Sequence, residues 1–268
     1  MEQAPSAPVT IEVGSGAGRR SIAVSHRPAG NGGPGLVWLG GYRSDMGGTK
    51  AVELDRLAQE TGLACTRHDY SGHGASGGAF VEGTISRWLE ESLAVFARFT
   101  EGPQILVGSS MGGWIALRMA QELAKRGEAS RLRGMVLIAP APDFTSELVE
   151  PELTDRHRRE LAERGYFEEP TPYGPEPDIY TKALLDDGRA NRVLTGIIDT
   201  GCPVHILQGM EDPDVPWRHA LRLVEHLPSD DVVLTLVRDG DHRLSRPEDL
   251  LRMRAAIRAM AEPGTAPA

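Results

Sequence analysis

The sequence predicts an α/β protein with a mostly parallel central sheet, helices on both faces and a small helical insertion. Three observations carry this. Short apolar runs alternate with amphipathic stretches from residue 36 to the end of the chain, the pattern of parallel strands joined by crossover helices. Glycine or proline stops several of the apolar runs, as at Gly40-Gly41 and Pro140. One stretch, residues 141–200, interrupts the alternation and is rich in proline and charge.

The elements follow in order. Thr10 to Val13 and Ser21 to Ser25 alternate in polarity around Gly14-Ser15-Gly16-Ala17-Gly18, which reads as a hairpin. Asn31 to Gly35 is a loop signal, and Leu36 to Leu39 a compact apolar strand. Thr49 can cap a helix running to about Thr61, with Val52, Leu54 and Leu57 spaced for one face and Gly62 as its stop. Leu63 to His68 is the next strand. Thr84 opens a helix whose Trp88, Leu89, Leu93 and Phe96 form an apolar stripe. Ile105 to Val107 is a buried strand, and a helix with Ile115, Leu117 and Leu123 comes soon after it. Met135 to Ala139, Val204 to Leu207 and Val232 to Val237 are the remaining strands. Helices near Trp217–Leu227 and Glu248–Met260 follow the last two.

The layout is then a core from 1–140, an insertion from 141–200 and a second core part from 201–268. Sixty residues between two core strands are too many for a structureless loop in a compact domain. Helices are expected near Asp155–Arg164 and Asp178–Asp187. Leu148, Val149, Leu153, Leu161, Tyr166, Phe167, Tyr173, Ile179, Tyr180, Leu184 and Leu185 are too many apolar groups for a solvated linker. Some of them are expected to line a concave, mostly apolar pocket.

Composition narrows the function. The 268 residues carry 29 Lys and Arg against 38 Asp and Glu, a net charge of −9. That balance argues against nucleic acid as a partner and against adhesion to anionic membranes. No apolar stretch approaches the roughly 18 residues of a membrane span, so no stable insertion is expected. Cys65 and Cys202 adjoin apolar runs and read as buried free thiols. Met1 to Pro8 lacks a positive cluster before an apolar run and reads as a short tail. The cytoplasm is the expected compartment.

Gly108-Ser109-Ser110-Met111-Gly112 places G-x-S-x-G between an apolar strand and an amphipathic helix. In that setting the glycines allow a sharp turn that lifts Ser110 Oγ above the sheet as a nucleophile. A serine hydroxyl needs a base. Among eight histidines, His242 in Gly240-Asp241-His242 follows the last strand, at the sheet edge where sites form. His219 and His226 fall inside a helix and are expected to face solvent; His205 reads as structural. The base needs an acid, and Asp212 follows the strand Val204–Leu207, with Asp214 and Glu211 as rivals. An oxyanion needs preorganised donors. Met111 N–H is one. Gly40-Gly41-Tyr42 offers the other, most simply Tyr42 N–H, with Arg43 as rival. Asp69 to Ser76 is a glycine-rich loop in which Asp69 or His73 could be catalytic; the preferred reading is structural, the glycines and Asp69 shaping a loop that supports the nucleophile turn. No H-E-x-x-H, paired C-x-x-C or P-loop sequence occurs, so no metal and no cofactor is expected.

These residues resemble the α/β-hydrolase superfamily. Within it the chain is similar to the mitochondrial acyl-protein thioesterase and mycophenolic acid acyl-glucuronide esterase group. The likeness rests on Gly41-Tyr42, Gly48-Thr49-Lys50-Ala51, Asp69-Tyr70-Ser71-Gly72 and Gly102 to Trp114. It continues in Gly209-Met210, Asp212, Val215-Pro216-Trp217 and Asp241-His242-Arg243. The resemblance implies an α/β-hydrolase fold, a triad of Ser110, Asp212 and His242, and cofactor-free hydrolysis of esters or thioesters through an acyl-enzyme. Its substrates would be small molecules or acylated proteins. Perhydrolysis, C–C bond hydrolysis and a triad-bearing receptor with little turnover share the same residues and stand as alternatives.

Overall fold

The computed structural model describes residues 8–227 and 231–262; most of the N-terminal tail, residues 1–7, lies outside them. Ten strands and seven α-helices are formed by these residues. They are β1 (Val9–Val13), β2 (Arg20–Arg27), β3 (Gly35–Leu39), α1 (Thr49–Thr61), β4 (Cys65–His68), α2 (Ile85–Phe99), β5 (Gln104–Ser109), α3 (Met111–Lys125), β6 (Leu132–Ile138), α4 (Asp155–Glu163), β7 (Tyr166–Glu169), β8 (Asp178–Thr181), α5 (Lys182–Ala190), β9 (Val204–Gly209), α6 (Trp217–His226), β10 (Val232–Val237) and α7 (Pro247–Ala261). Eight strands make one sheet in the order β1-β2-β4-β3-β5-β6-β9-β10. The pairs β1/β2 and β2/β4 are antiparallel, and every other pair in this sheet is parallel.

The central strands are buried on both faces, so they read as unbroken apolar runs. The period of two then divides them. Leu36, Trp38, Ile105 and Val107 point to one face and pack with Leu54 and Leu57 of α1 and Met253 and Ile257 of α7. Val37, Leu39 and Leu106 point to the other, against Trp88 and Phe96 of α2, Trp114 of α3 and Leu223 of α6.

Two boundaries differ from expectation. Gly48, not Thr49, is the N-cap of α1, and Thr49 is its first helical residue. Leu63 belongs to the helix stop rather than to β4, because its N–H returns to the Ala58 carbonyl past Gly62 at φ 70°.

The insertion carries α4 where expected. Thr154 caps it by accepting the His157 N–H at 3.2 Å. The helix expected near Asp178–Asp187 is instead β8 followed by α5. Asp178 to Thr181 pairs antiparallel with Tyr166 to Glu169, and Thr181 Oγ1 caps α5 by accepting Leu184 N–H at 3.0 Å. Asp143 closes the base of the insertion. It is fully buried, and its carboxylate takes the N–H groups of Val193 and Leu194 at 2.8 Å each. Phe144, Leu184, Val193, Leu194 and Ile198 join the core on the α3 side, where Trp114 Nε1 donates to Asn191 O at 3.0 Å.

Candidate active site

The turn between β5 and α3 is strained by design of its glycines. Ser110 sits at φ 53°, ψ −118°, a conformation that costs about 1–3 kcal/mol in a non-glycine residue. Its own amide and carbonyl hold it there: Ser110 N–H donates to Ile138 O at 2.9 Å, and Ser110 O accepts from Ala141 N–H at 3.1 Å and Gly113 N–H at 2.9 Å. A Cβ on Gly108 would come 2.5 Å from Gly112 O, and one on Gly112 would come 2.0 Å from Leu39 O. Only glycine lets helix and strands approach this closely.

At the carboxyl edge of the sheet, the turn meets the loops after β9 and β10. His242 Nε2 lies 3.1 Å from Ser110 Oγ, and His242 Nδ1 lies 2.8 Å from Asp212 Oδ2. With Nδ1–H donating its hydrogen bond to the carboxylate, the unprotonated Nε2 is free to accept the serine proton. The Asp212 carboxylate is buried and fully engaged. Its Oδ1 accepts the N–H groups of Asp214 at 2.9 Å and Val215 at 2.8 Å, and Gln208 Nε2 reaches Oδ2 at 3.1 Å. Neither rival bonds to His242. Asp214 accepts the Tyr173 hydroxyl, and Glu211 is exposed. Asp212, Asp214 and His242 bring three potential ligand atoms within 4.8 Å of one another, two of which are already bonded across the His–Asp pair.

The loop after β3 runs close over the turn. A Cβ on Gly41 would be 3.3 Å from Ser109 O. Tyr42 comes next, and its ring stacks on Tyr180 of the insertion with centroids 5.7 Å apart and planes 4° from parallel. Its hydroxyl donates to Ile179 O. The Arg43 N–H is occupied, since it donates to His73 Nε2 at 3.2 Å. Met111 N–H belongs to the first turn of α3, whose amides have no acceptor within their own helix.

Two cavities meet at Ser110, Tyr42, Tyr173 and His242. One, of about 310 Å³, is polar and bordered by Arg43, Lys50, Arg243 and Ser245. The other, of about 230 Å³, is walled by Met111, Phe144, Leu148, Val149, Tyr180 and Val215. Phe167, expected among candidate wall residues, lies behind the wall: it is 1 % exposed and sandwiched between His157 and Tyr180.

The pattern of the alpha/beta hydrolase family matches residues 26–253. The chain belongs to this family. The hydrolase is 32% identical over 219 residues to the mitochondrial palmitoyl-protein thioesterase ABHD10 of Homo sapiens, covering 81% of this chain and 69% of the relative. The Mus musculus protein of that name is 34% identical over 227 residues, with 81% and 71% covered. Among solved structures, a candidate hydrolase of Agrobacterium vitis S4 superposes with a TM-score of 0.93 at 67% identity, over 95% of this chain and 98% of that one. Alpha/beta hydrolase domain-containing protein 10 from mouse superposes with a TM-score of 0.80 at 29% identity, over 94% and 98%.

One group around the site in this hydrolase, Gln208, was not singled out from sequence. Gln208 is fully buried at the end of β9 and ties Asp212 to the Val215 carbonyl, 3.0 Å away. The clue was a polar side chain ending an apolar strand four residues before the acid. His73 supports the loop of Tyr42, donating from Nδ1 to Ser71 O at 3.1 Å while Nε2 accepts from Arg43. Asp69 bridges the Met46 and Ala75 amides at 2.6 and 2.8 Å. Asp69 therefore shapes its loop, as expected, and His73 has a structural role. His219 does not face solvent. It is 7 % exposed, beneath the Pro142 carbonyl at 2.8 Å, because it shares the inward face of α6 with Leu223. Cys65 and Cys202 are buried and free, and burial pushes their thiols up to about 12 and about 11.

Burial holds His68 and His73 down at about 4. Unfolded histidine titrates near 6.5, so the unfolded chain binds more protons between the two values. Stability contributed by these rings is complete above about pH 6.5 and is lost as pH falls toward about 4, by up to roughly 3 kcal/mol each. Urea midpoints should fall over that window, and His73→Gln should flatten the fall. An equal slope in the variant would contradict it.

Proposed function

We propose that this hydrolase is a serine esterase and thioesterase that works through an acyl-enzyme. The observation that carries the reading is the hydrogen-bonded chain Ser110–His242–Asp212, set on a strained turn at the meeting point of two cavities. Ser110 Oγ attacks the carbonyl carbon while His242 Nε2 takes its proton, and Asp212 stabilises the imidazolium. The N–H groups of Tyr42 and Met111 hold the oxyanion. Collapse expels the alcohol or thiol, which leaves with the proton from His242. A water, deprotonated by His242, then frees the acid and restores Ser110. The scheme needs no metal or cofactor.

The apolar cavity is the acyl side, with residues 141–200 as its lid. Carboxylic esters, thioesters and S-acylated proteins are the substrate classes, in keeping with the names of the relatives. Among the described residues no helix is long and apolar enough to cross a membrane. The cytoplasm remains our proposed compartment, on the two buried thiols. A fluorophosphonate probe with graded p-nitrophenyl esters tests the reading: fast labelling with turnover supports it, and labelling without turnover supports a receptor instead.

Lid side chains should set acyl length. Tyr180→Ala and Leu148→Ala remove wall from the apolar cavity. The ratio of kcat/KM for octanoyl or palmitoyl esters to that for acetyl should shift about tenfold in each, since one or two methylenes of fit are worth that much. Uniform losses at every length would deny the lid this role.

A further inference from the structure

The polar cavity holds cations that acyl transfer does not use. Lys50, the second residue of α1, donates its ammonium to the Arg243 carbonyl and to Ser245 Oγ at 3.3 Å. Burial pushes it down to about 8. Among the described residues no carboxylate oxygen lies within 4.0 Å of its Nζ, or of the Arg243 guanidinium. Lys50 is half-buried, with Asp241 and Asp249 acting on it only from beyond ion-pair distance; partial burial of an ammonium without a paired carboxylate costs free energy that a bound anion would offset. Arg243 lies 5.7 Å from the Tyr173 ring, which is itself 6.2 Å from His242. Both cations line the cavity that also exposes Ser110. The third cation there, Arg43, is committed to Pro177 O and, at 3.8 Å, to Asp178. Asp45 is the one carboxylate on the lining among the described residues, and its Oδ1 already accepts Gly47 N–H at 2.8 Å.

The acyl chain has the apolar cavity, so the polar one receives the leaving group. Ser44, Thr49 and Ser245 add hydroxyls to its wall, and the first turn of α1 adds a positive helix end. A carboxylate brings one charge and two oxygens. A phosphate monoester brings nearly two charges and three free oxygens, and so matches both cations and the hydroxyls. We propose that Lys50 and Arg243 form an anion subsite for a phosphate carried by the leaving group, a few bonds from the scissile carbonyl. The proposal rests on the esterase reading and names the leaving group for that same site.

Three octanoyl esters test it: 1-octanoylglycerol, 1-octanoylglycerol 3-phosphate and the octanoyl ester of glycerate. The wild-type enzyme should favour the phosphate over the neutral ester in kcat/KM by at least about tenfold, and over the carboxylate by several-fold. In Lys50→Met and in Arg243→Gln that phosphate-to-neutral ratio should fall to about 1. The ratio cancels any general loss from freeing the Arg243 carbonyl in the lysine variant. Calorimetry with glycerol 3-phosphate on Ser110→Ala protein reads the subsite without turnover, and adding Lys50→Met should weaken that binding about tenfold. Loss of neutral-ester turnover alone would count against the esterase reading and leave calorimetry to decide the subsite. A wild-type ratio near 1, a ratio that survives either variant, an equal gain from the carboxylate, or glycerol 3-phosphate binding that ignores Lys50 would each overturn the proposal.

Discussion

Ser110→Ala is expected to lower kcat/KM for p-nitrophenyl octanoate by at least about 10³-fold, the scale seen when one member of such a unit is removed. The loss should be chemical and not structural. Ser110 lies at φ 53°, and alanine keeps the same Cβ, so no new backbone strain arises. The backbone bonds to Ile138 O and from Ala141 N–H and Gly113 N–H do not involve Oγ. The hydroxyl touches only His242 Nε2 among the described hydrogen bonds. Thermal midpoint and urea midpoint should therefore match the parent within error. A folded variant with near-parental activity would remove Ser110 from the mechanism.

Asp212→Asn is expected to cost about 10⁴ in kcat, as for a triad aspartate whose charge is removed without changing its shape. The local hydrogen bonds say why. The N–H groups of Asp214 and Val215 require an acceptor at Oδ1, which fixes the asparagine oxygen there. The new NH₂ must then face His242 Nδ1 and Gln208 Nε2, where Oδ2 accepted before. His242 is driven to the tautomer with its proton on Nε2, and that nitrogen can no longer take the serine proton. Asp214→Asn keeps an oxygen for the Tyr173 hydroxyl and should cost less than about tenfold, the worth of one altered hydrogen bond. Kinetics of the two variants side by side decide between the acids; a reversed order would assign the role to Asp214.

Much of the fold was readable because each rule was local. β3, β5 and β6 are short apolar runs, and burial on both faces is what makes them so. The turn at Ser110 announces itself through Gly108 and Gly112, whose missing Cβ atoms are required by contacts at their own position. The order of Ser110, Asp212 and His242 along successive strand ends carried their selection, and the structure brings the three together. The insertion was less legible. Asp178 to Thr181 becomes a strand only because Tyr166 to Glu169 lies across a proline-rich loop, a pairing no local propensity encodes. Phe167 was counted as a possible pocket wall because composition gives depth but not direction. Gln208, Lys50 and the burial of His219 come from tertiary neighbours distant in the chain.

The most direct test is acid-quenched mass spectrometry of the protein during turnover of p-nitrophenyl octanoate. The peptide containing Ser110 should carry an octanoyl group that builds early and disappears as substrate is exhausted. Turnover with no adduct, or an adduct on any other residue, would contradict the acyl-enzyme at Ser110.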